Sequence, residues 1–322
     1  MLARLIRRCA WSLLTLALAL SSAELVVRLT DEDWKLLRPL LYYQGVHLSL
    51  HQTSEDVDLL YELKKSTSAV IEGQIFTMNA LGFRDRERSA QKPPGVFRIV
   101  CLGSSNTYGA LVNDSETYPA QLEALLNEGR RGKRRYEVWN AGVSAYTLRQ
   151  SAASAEKIFM KYAPDLLLIQ PHATGRRPFL LGQPVERYFD EDPSLYAENL
   201  PYLPFGGSSL DAALLRRVRF YRALVVLYNR RAAGQGDFAH NLSMTALRRL
   251  VEQHGRQVPI VMLYNPGSRT AALPELGLKA IFLDDYLPPD YSADHLLIHP
   301  PAYVYRWYAE VLKRALPLPR GL

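Results

Sequence analysis

From Phe97 to the C-terminus, short apolar runs alternate with segments whose apolar residues recur at helical spacing. The five runs are rich in Ile, Val and Leu and lack polar alternation, so they indicate strands covered on both faces. Strands of this kind that alternate with helices form a parallel sheet with helices packed on each side. The pattern therefore predicts an α/β domain, a three-layer α/β/α sandwich with a five-stranded parallel sheet.

The bounds of the predicted elements follow from the same pattern. The predicted strands are Arg98–Leu102, Tyr136–Trp139, Leu166–Gln170, Val258–Leu263 and Ala280–Leu283. The predicted helices between and after them are Tyr118–Asn127, Leu148–Tyr162, Asn241–His254 and Ala302–Ala315. Several of these helical patterns end at Gly or Pro, as helix termination requires.

A basic segment and then an apolar segment open the chain. The basic residues are Arg4, Arg7 and Arg8. The apolar run that follows extends from Cys9 to Ala23. This order is typical of an export signal, and the arginines favour a cytoplasmic N-terminus with the remainder outside the inner membrane. The predicted location is the cell inner membrane, with a periplasmic domain.

The fate of this segment has two alternatives. Ser21 and Ala23 provide the small residues of a cleavage site, and cleavage would release a secreted protein. The apolar pattern resumes over Leu25–Leu29, however, so an uncleaved membrane helix of marginal length competes with cleavage. We favour a membrane helix that retains the protein.

The sequence divides into three parts. Residues 1–29 form the signal anchor or signal peptide, residues 30–96 form a linker or cap, and residues 97–322 form the α/β domain. Within that domain, residues 178–236 form an insertion with an apparent helix over Leu214–Arg231. Because the insertion follows the third predicted strand, we expect it to shape a substrate cleft; a packing appendage is the alternative.

Composition excludes several classes of function. The net charge of +7 comes from Lys and Arg that are interleaved with Asp and Glu, which is typical of a solvated surface and not of a nucleic-acid site. The two cysteines, Cys9 and Cys101, form no disulfide framework or cysteine metal site. We therefore expect no nucleic-acid partner.

A serine-rich turn follows the first predicted strand. Its sequence runs from Gly103 through Ser104, Ser105 and Asn106 to Thr107, and a second glycine follows at position 109. A serine here lies at the carboxyl edge of the sheet, where it can attack a carbonyl group while its own amide holds the oxyanion. The turn lacks the Lys and the Ser or Thr of a P-loop and the glycine spacing of a dinucleotide-binding turn.

This turn resembles the first block of the SGNH (GDSL-like) hydrolase superfamily. Gly103, Ser105 and Thr107 match that block, whereas Ser104 replaces its Asp. The segment Asn79–Arg84 resembles an Asn-x-x-Gly-Phe-Arg element of exported bacterial relatives, so the resemblance extends from about residue 79 to the C-terminus. It implies a flavodoxin-like SGNH hydrolase fold and a nucleophilic role for Ser105.

The resemblance also implies an oxyanion hole. Asn140-Ala141-Gly142-Val143 is similar to the second block, so the amides of Ser105 and Gly142 are the expected donors. The third block usually supplies an Asn side chain, which this chain lacks. Its place is taken by Ala173 or, in a register shifted by one residue, by Thr174, and we name Thr174 as a candidate donor. His172 is assigned no catalytic role.

The last block of the family is Asp-x-x-His, and it resembles the segment Asp294–Pro301. His299 is then the general base, and it is followed by a proline and the terminal helix. The position of the family's Asp is occupied by Leu296. Asp294 is the candidate triad acid and Asp290 a weaker one, and a Ser-His dyad without an acid is the alternative.

These assignments imply hydrolysis of an acyl ester, with no metal or organic cofactor. The expected partners are a small-molecule or glycan acyl ester, for example a carbohydrate O-acetyl group, and the membrane. An O-acetyltransferase, in which a sugar hydroxyl replaces water, is one alternative. A noncatalytic glycan-binding or assembly protein on the same fold is another, because the third-block Asn and the Asp at position 296 are both missing.

Overall fold

The structure is a computed structural model that describes residues 2–42, 48–129, 135–171, 177–181, 185, 188, 195, 200, 202–231, 238–268, 276–288 and 299–319. The chain forms two compact units. Unit 1 comprises Met1–Tyr42 and Pro184–Ala239, and unit 2 comprises Tyr43–Gln183 and His240–Leu322. The α/β sheet lies entirely in unit 2.

The elements are named here in chain order. The helices are α1 (Leu2–Thr30), α2 (Glu32–Leu41), α3 (Ser105–Tyr108), α4 (Tyr118–Asn127), α5 (Leu148–Tyr162), α6 (Ser209–Arg217), α7 (Arg219–Arg231), α8 (Phe238–His254) and α9 (Ala302–Ala315). The strands are β1 (His51–Thr53), β2 (Tyr61–Leu63), β3 (Thr67–Ile71), β4 (Gln74–Met78), β5 (Val96–Gly103), β6 (Arg135–Asn140), β7 (Leu166–Gln170), β8 (Ile260–Tyr264) and β9 (Lys279–Phe282). Short 3₁₀ helices cover Asp114–Glu116 and Leu283–Tyr286.

Five parallel strands form the sheet of unit 2 in the order β6-β5-β7-β8-β9. The predicted α/β class and five-stranded parallel sheet are confirmed, and the order corresponds to the flavodoxin-like 2-1-3-4-5 arrangement. In this arrangement the order reverses between β5 and β7, where Gly103 is in register with Gln170. Ligands of such sheets bind at the carboxyl ends of the strands beside this reversal.

Helices cover both faces of the sheet, which explains the absence of polar alternation in its strands. Successive residues of β5 point to opposite faces, so Ile99 and Cys101 join one apolar core while Val100 and Leu102 join the other. The first core includes side chains of α4 and α9, and the second includes side chains of α5 and α8. The result is the predicted three-layer arrangement.

Residues 30–96 contain regular elements that the sequence pattern did not reveal. Helix α2 occupies the start, and two antiparallel hairpins follow, β1 with β2 and β3 with β4. Each of these strands is three to five residues long, which is too short for a period of two to be visible in the sequence. The single predicted helix Leu214–Arg231 is wrong in its extent: the structure has two helices, α6 and α7, with a break at Val218.

Side chains cover the outer edge of β6, which is an edge strand of the five-stranded sheet. The amide of Val138 donates to Glu123 Oε2 at 2.7 Å, and the carbonyl of Val138 accepts from Arg88 at 3.0 Å. Asn127 makes two further hydrogen bonds to the backbone of Tyr136, each 2.9 Å long. These contacts satisfy backbone groups that would otherwise be open to pairing with another strand.

Unit 1 contains a candidate membrane span. Among the residues described, the helix segment Arg4–Thr30 is long and apolar enough to cross a bilayer, with a mean hydropathy of 1.7 and little burial. A signal sequence has the same properties, so both fates of the N-terminal segment stay open.

We expect Glu123→Ala to lower the free energy of unfolding of unit 2 by about 2 to 4 kcal/mol. The substitution removes the acceptor of the Val138 amide and one of the two carboxylates that pair with Arg88. Urea denaturation followed by circular dichroism measures the change. Glu156→Ala is the matched control, since Glu156 pairs with the exposed Arg249 and its loss should cost less than about 1 kcal/mol. Equal losses in the two variants would contradict a special role of the β6 edge.

Candidate active site

Ser105 is the first residue of α3, directly after the central strand β5. The helix begins with a hydrogen bond from the Tyr108 amide to the Ser104 carbonyl, 2.9 Å long. The amide of Ser105 lies in the first turn and therefore has no partner within the helix. The residue is partly exposed, and its hydroxyl makes no hydrogen bond to any residue that the structure describes. Ser105 thus places a hydroxyl and an amide without a partner in the helix at the carboxyl edge of the sheet.

Ser104, the neighbouring serine, is more buried than Ser105. Its side chain is buried, and its hydroxyl is among the buried polar atoms that lack a hydrogen-bond partner within the described part of the chain. It precedes α3 but does not cap it through its side chain. Ser105 is therefore the more accessible hydroxyl of the pair.

The turn between β5 and α3 is closely packed at Gly103. A Cβ atom at this position would lie 2.9 Å from the Gln170 carbonyl oxygen and would also contact the hydroxyl of Thr107. That hydroxyl donates to Gln170 Oε1 at 2.8 Å. The glycine therefore allows α3 to approach the ends of β5 and β7, and Thr107 holds it there.

Gly142 lies against the backbone of the same helix. A Cβ atom at position 142 would lie 2.7 Å from the Thr107 carbonyl carbon and would also contact the Tyr108 amide nitrogen. The next amide, of Val143, donates to the Gly103 carbonyl at 3.0 Å. The structure thus brings Gly142 to the helix that begins with Ser105.

The amide of Gly142 already has a hydrogen bond. It donates to the side-chain oxygen of Asn140 at 3.1 Å, in a turn that follows β6. The other end of the Asn140 amide group points to the Tyr108 carbonyl at 3.4 Å. To hold an oxyanion, Gly142 must share or exchange this hydrogen bond.

The guanidinium group of Arg84 binds the far end of α3. It is fully buried and donates to the carbonyl oxygens of Tyr108 at 2.8 Å, of Val112 at 2.6 Å, and of Gly109. It also pairs with Asp114 at 2.9 Å. A cation beside the last carbonyls of a helix is favourable, and without it each of these buried oxygens would lose a charged donor.

The Asn79–Arg84 segment is a turn that delivers this arginine. The side-chain oxygen of Asn79 accepts from the amides of Leu81 and Phe83, each at 3.0 Å. Gly82 has a φ of 85°, in the left-handed region that favours glycine. The sequence element therefore has a structural meaning: its Asn and Gly form the turn, and its Arg reaches α3.

Two amide side chains at the carboxyl edge were not identified from the sequence. Gln170 ends β7 and accepts from Thr107, while its amide nitrogen donates to the side-chain oxygen of Asn265, just after β8. This chain of hydrogen bonds joins α3 to the ends of two strands. The available signal was positional, since each residue is a polar side chain at the end of an apolar run.

His299 lies three residues before α9 and is half-buried. Burial lowers its pKa below the usual value of 6.5, so its imidazole is neutral at pH 7. It makes no hydrogen bond to Ser105 or to any other described residue. The candidate acid Asp294, the candidate donor Thr174 and the weaker alternatives fall outside the described residues.

Neither a family model nor a curated protein matches this chain. Among solved structures, it is similar to a catalytic mutant of an acetylxylan esterase from Geobacillus stearothermophilus, with 15% identity, a TM-score of 0.40, and coverage of 70% of this chain and 97% of the esterase. It is also similar to a member of the lipolytic protein G-D-S-L family from Veillonella parvula, with 11% identity, a TM-score of 0.36, and coverage of 68% and 98%. A third similar structure is a two-domain esterase active on acetylated mannans, with 13% identity, a TM-score of 0.35, and coverage of 70% of this chain and 52% of the esterase. At these identities and TM-scores the fold and the chemistry of the site are inferred from the residues of this chain alone.

Proposed function

We propose that the protein is a serine ester hydrolase of SGNH type, with Ser105 as nucleophile and His299 as general base. The observation that carries the proposal is the position of Ser105: this partly exposed serine, whose amide has no partner within the helix, begins α3 at the carboxyl end of the central strand. A hydroxyl and an amide on one residue can attack a carbonyl carbon and hold the resulting oxyanion. Gly142, packed on the same helix, supports a second donor in the same place.

The proposed reaction proceeds through a covalent acyl-enzyme. His299 accepts the proton of the Ser105 hydroxyl as its oxygen attacks the ester carbonyl, and the amides of Ser105 and Gly142 bind the oxyanion. The intermediate collapses, the alcohol leaves with the proton from His299, and the acyl group stays on Ser105. Water then attacks the acyl-enzyme with His299 as base, which releases the acid and restores the serine.

The charge state of His299 supports its role as base. A general base must be neutral before it accepts a proton, and burial keeps the imidazole unprotonated at pH 7.

The remaining parts of the proposal concern two further site residues, the substrate and the location. Asp294 is the proposed orienting acid and Thr174 the proposed third oxyanion donor, on the family resemblance alone. The proposed substrates are esters with a short acyl group, and the O-acetyl groups of exported polysaccharides are the proposed substrate class. The segment Arg4–Thr30 is proposed to hold the enzyme at the inner membrane, with its catalytic domain in the periplasm.

Two observations favour a noncatalytic glycan-binding protein as the second candidate. The amide of Gly142 is bound to Asn140, and no hydrogen bond joins Ser105 to His299 among the described residues. Catalytic hydrogen bonds are often long before substrate binds, so the same geometry is compatible with an enzyme that closes on its substrate. Reactivity of the serine separates the two candidates.

We expect a fluorophosphonate to label the wild-type protein and Ser104→Ala, but not Ser105→Ala, as measured by mass spectrometry. Ser105→Ala, His299→Ala and the double variant should have similar residual rates on a nitrophenyl acetate substrate, because each partner is useless without the other. Ser104→Ala is the matched control, since it removes a buried hydroxyl that has no hydrogen-bond partner among the described residues. A wild-type protein that is folded but neither labels nor hydrolyses any ester would favour the noncatalytic candidate.

We expect kcat/KM to fall as the pH is lowered through a pKa below 6.5, because the depressed pKa of His299 keeps the base neutral above that value. Burial also raises the pKa of Asp85 to about 6, and Asp85 accepts from the Asn140 amide at 3.2 Å. Asp85→Asn therefore serves as control: the acid limb should persist in it. An acid limb that disappears in Asp85→Asn would assign the titration to the carboxyl group and not to His299.

Arg84 should contribute to turnover through the position of α3. Because its guanidinium group binds the carbonyls that follow Ser105, its loss would let the short helix shift relative to β5 and Gly142. Displacements of about 1 Å at a reacting group can cost about a hundredfold in rate. Arg98 is a matched residue, equally buried and bound to the Tyr162 and Ser89 carbonyls, but on the opposite end of β5.

We expect Arg84→Lys to lower kcat by about tenfold to a hundredfold with little change in KM, whereas Arg98→Lys should keep the wild-type kcat. Both variants should lose stability, because each leaves buried carbonyl groups with fewer donors. Added methylguanidine should restore part of the kcat of an Arg84→Ala variant. Equal kcat losses in the two lysine variants, measured on folded protein at the same temperature, would show a purely structural role for Arg84.

A further inference from the structure

Helix α7 in unit 1 has an apolar face that is open to solvent. Leu224, Leu227 and Tyr228 are 49%, 44% and 62% exposed, and their spacing places them on one side of the helix. The same surface continues into the loop before α6, where the exposed Phe205 stacks on Tyr221 with ring centroids 6.4 Å apart. We call these five residues the α7 outer face.

The inward side of α7 is already packed, so the residues of the outer face are not needed to form the core of unit 1. Arg222, Ala223, Val225 and Val226 are buried. The guanidinium group of Arg222 pairs with the buried Asp33 of α2 at 3.0 Å and lies over the Trp34 ring at 4.8 Å. A soluble helix needs one apolar face, and a second, aromatic-rich face is typical of a helix that contacts a partner or a membrane.

The start of α7 is attached to the end of the candidate membrane helix. The carboxylate of Glu24 accepts from the backbone amides of Arg219 and Phe220 at 3.1 and 2.7 Å. Arg28 donates to the Arg217 carbonyl at 2.7 Å, and Arg219 pairs with Asp31. These bonds fix the first turn of α7 beside the point where α1 would leave a bilayer.

Apolar exposure is also present at that end of α1 itself. Leu25 and Val26, between the paired Glu24 and Arg28, are each 57% exposed, and Leu29, the next residue after the pair, is 76% exposed. A bilayer that covers these side chains has its headgroup region at the level of α7. The apolar side chains of the α7 outer face and of the end of α1 would therefore be buried by the same bilayer.

The charge around the outer face fits an anionic lipid surface. Arg217 is exposed before α7 begins, and Arg230 and Arg231 are exposed at its last turn. Leu, Phe and Tyr side chains flanked by Arg are typical of helices that lie in a membrane interface. Arginines attract the phosphate groups of the lipid, and the tyrosine rings suit the boundary between headgroups and acyl chains.

We infer that α7 lies on the bilayer surface, with Leu224, Leu227 and Tyr228 in the headgroup boundary and the exposed arginines on anionic phospholipid. The insertion that contains α7 is then a membrane-contacting element that acts with α1 as a second point of attachment. This inference rests on the retention of α1 in the membrane and is independent of the proposed esterase activity.

The test uses the full-length chain in vesicles of phosphatidylethanolamine and phosphatidylglycerol. An environment-sensitive nitrobenzoxadiazole probe is attached at Leu227→Cys in a Cys9→Ser background, where the remaining Cys101 is buried. Lys35→Cys is the matched control, because Lys35 is exposed on α2 and lies opposite the side on which Asp33 meets α7. Two quenchers are compared: a lipid with a nitroxide on its headgroup, and aqueous iodide.

We expect the probe at position 227 to be quenched severalfold more by the nitroxide lipid than the probe at position 35, with the reverse order for iodide. Arg230→Glu with Arg231→Glu should reduce the lipid quenching at position 227 in anionic vesicles. Equal iodide quenching at both positions would overturn the inference, because it would place the outer face in water. Protection from both quenchers, with cross-links between chains, would also overturn it and assign the face to a second copy.

Discussion

The end of helix α3 is held by a buried cation, and the geometry of the candidate active site depends on this contact. Three carbonyl oxygens at and after the end of α3 point into the protein, away from water, and Arg84 is the donor that all of them share. Its charge is balanced by Asp114, and its Cζ atom lies 3.9 Å from the centre of the Phe76 ring. A four-residue helix has little stability of its own, so the direction of Ser105 is determined by such contacts.

The other contacts of α3 explain why small residues occur where they do. Gly103 and Gly142 approach the helix from the ends of β5 and β6, and a Cβ atom at either position would collide with backbone or with Thr107. Thr107 connects the helix to Gln170 and, through it, to Asn265. The ends of β5, β6, β7 and β8 thus meet around one short helix. A parallel sheet makes this convergence possible, because all of its strands end at the same edge.

In unit 1, a buried ion pair joins α2 to α7. The pair between Arg222 and Asp33 is favourable only with good geometry and further hydrogen bonds, and Arg222 also donates to the Leu215 carbonyl at 2.9 Å. This pairing leaves the apolar outer face of α7 turned outward. In water Leu224 and Tyr228 leave apolar surface exposed, whereas at the proposed bilayer surface both side chains gain apolar burial.

The sequence alone determined the elements of the sheet domain, because burial on both faces leaves a local signal. The predicted helices Tyr118–Asn127, Leu148–Tyr162 and Ala302–Ala315 agree with the structure to the residue, and strand Leu166–Gln170 does as well. The position of Ser105 after the first strand was equally local, since it depends on a strand followed by a turn.

Only the tertiary structure decided which distant residues meet. The approach of Arg84 to α3, the bond between Gln170 and Asn265, and the packing of Gly142 against α3 depend on how the strands are ordered and how far each one extends. The same holds for the pairing of α2 with α7, which joins segments separated by most of the chain. Periodicity reports the environment of a residue along its own helix or strand, and it carries no information about the partner that provides that environment.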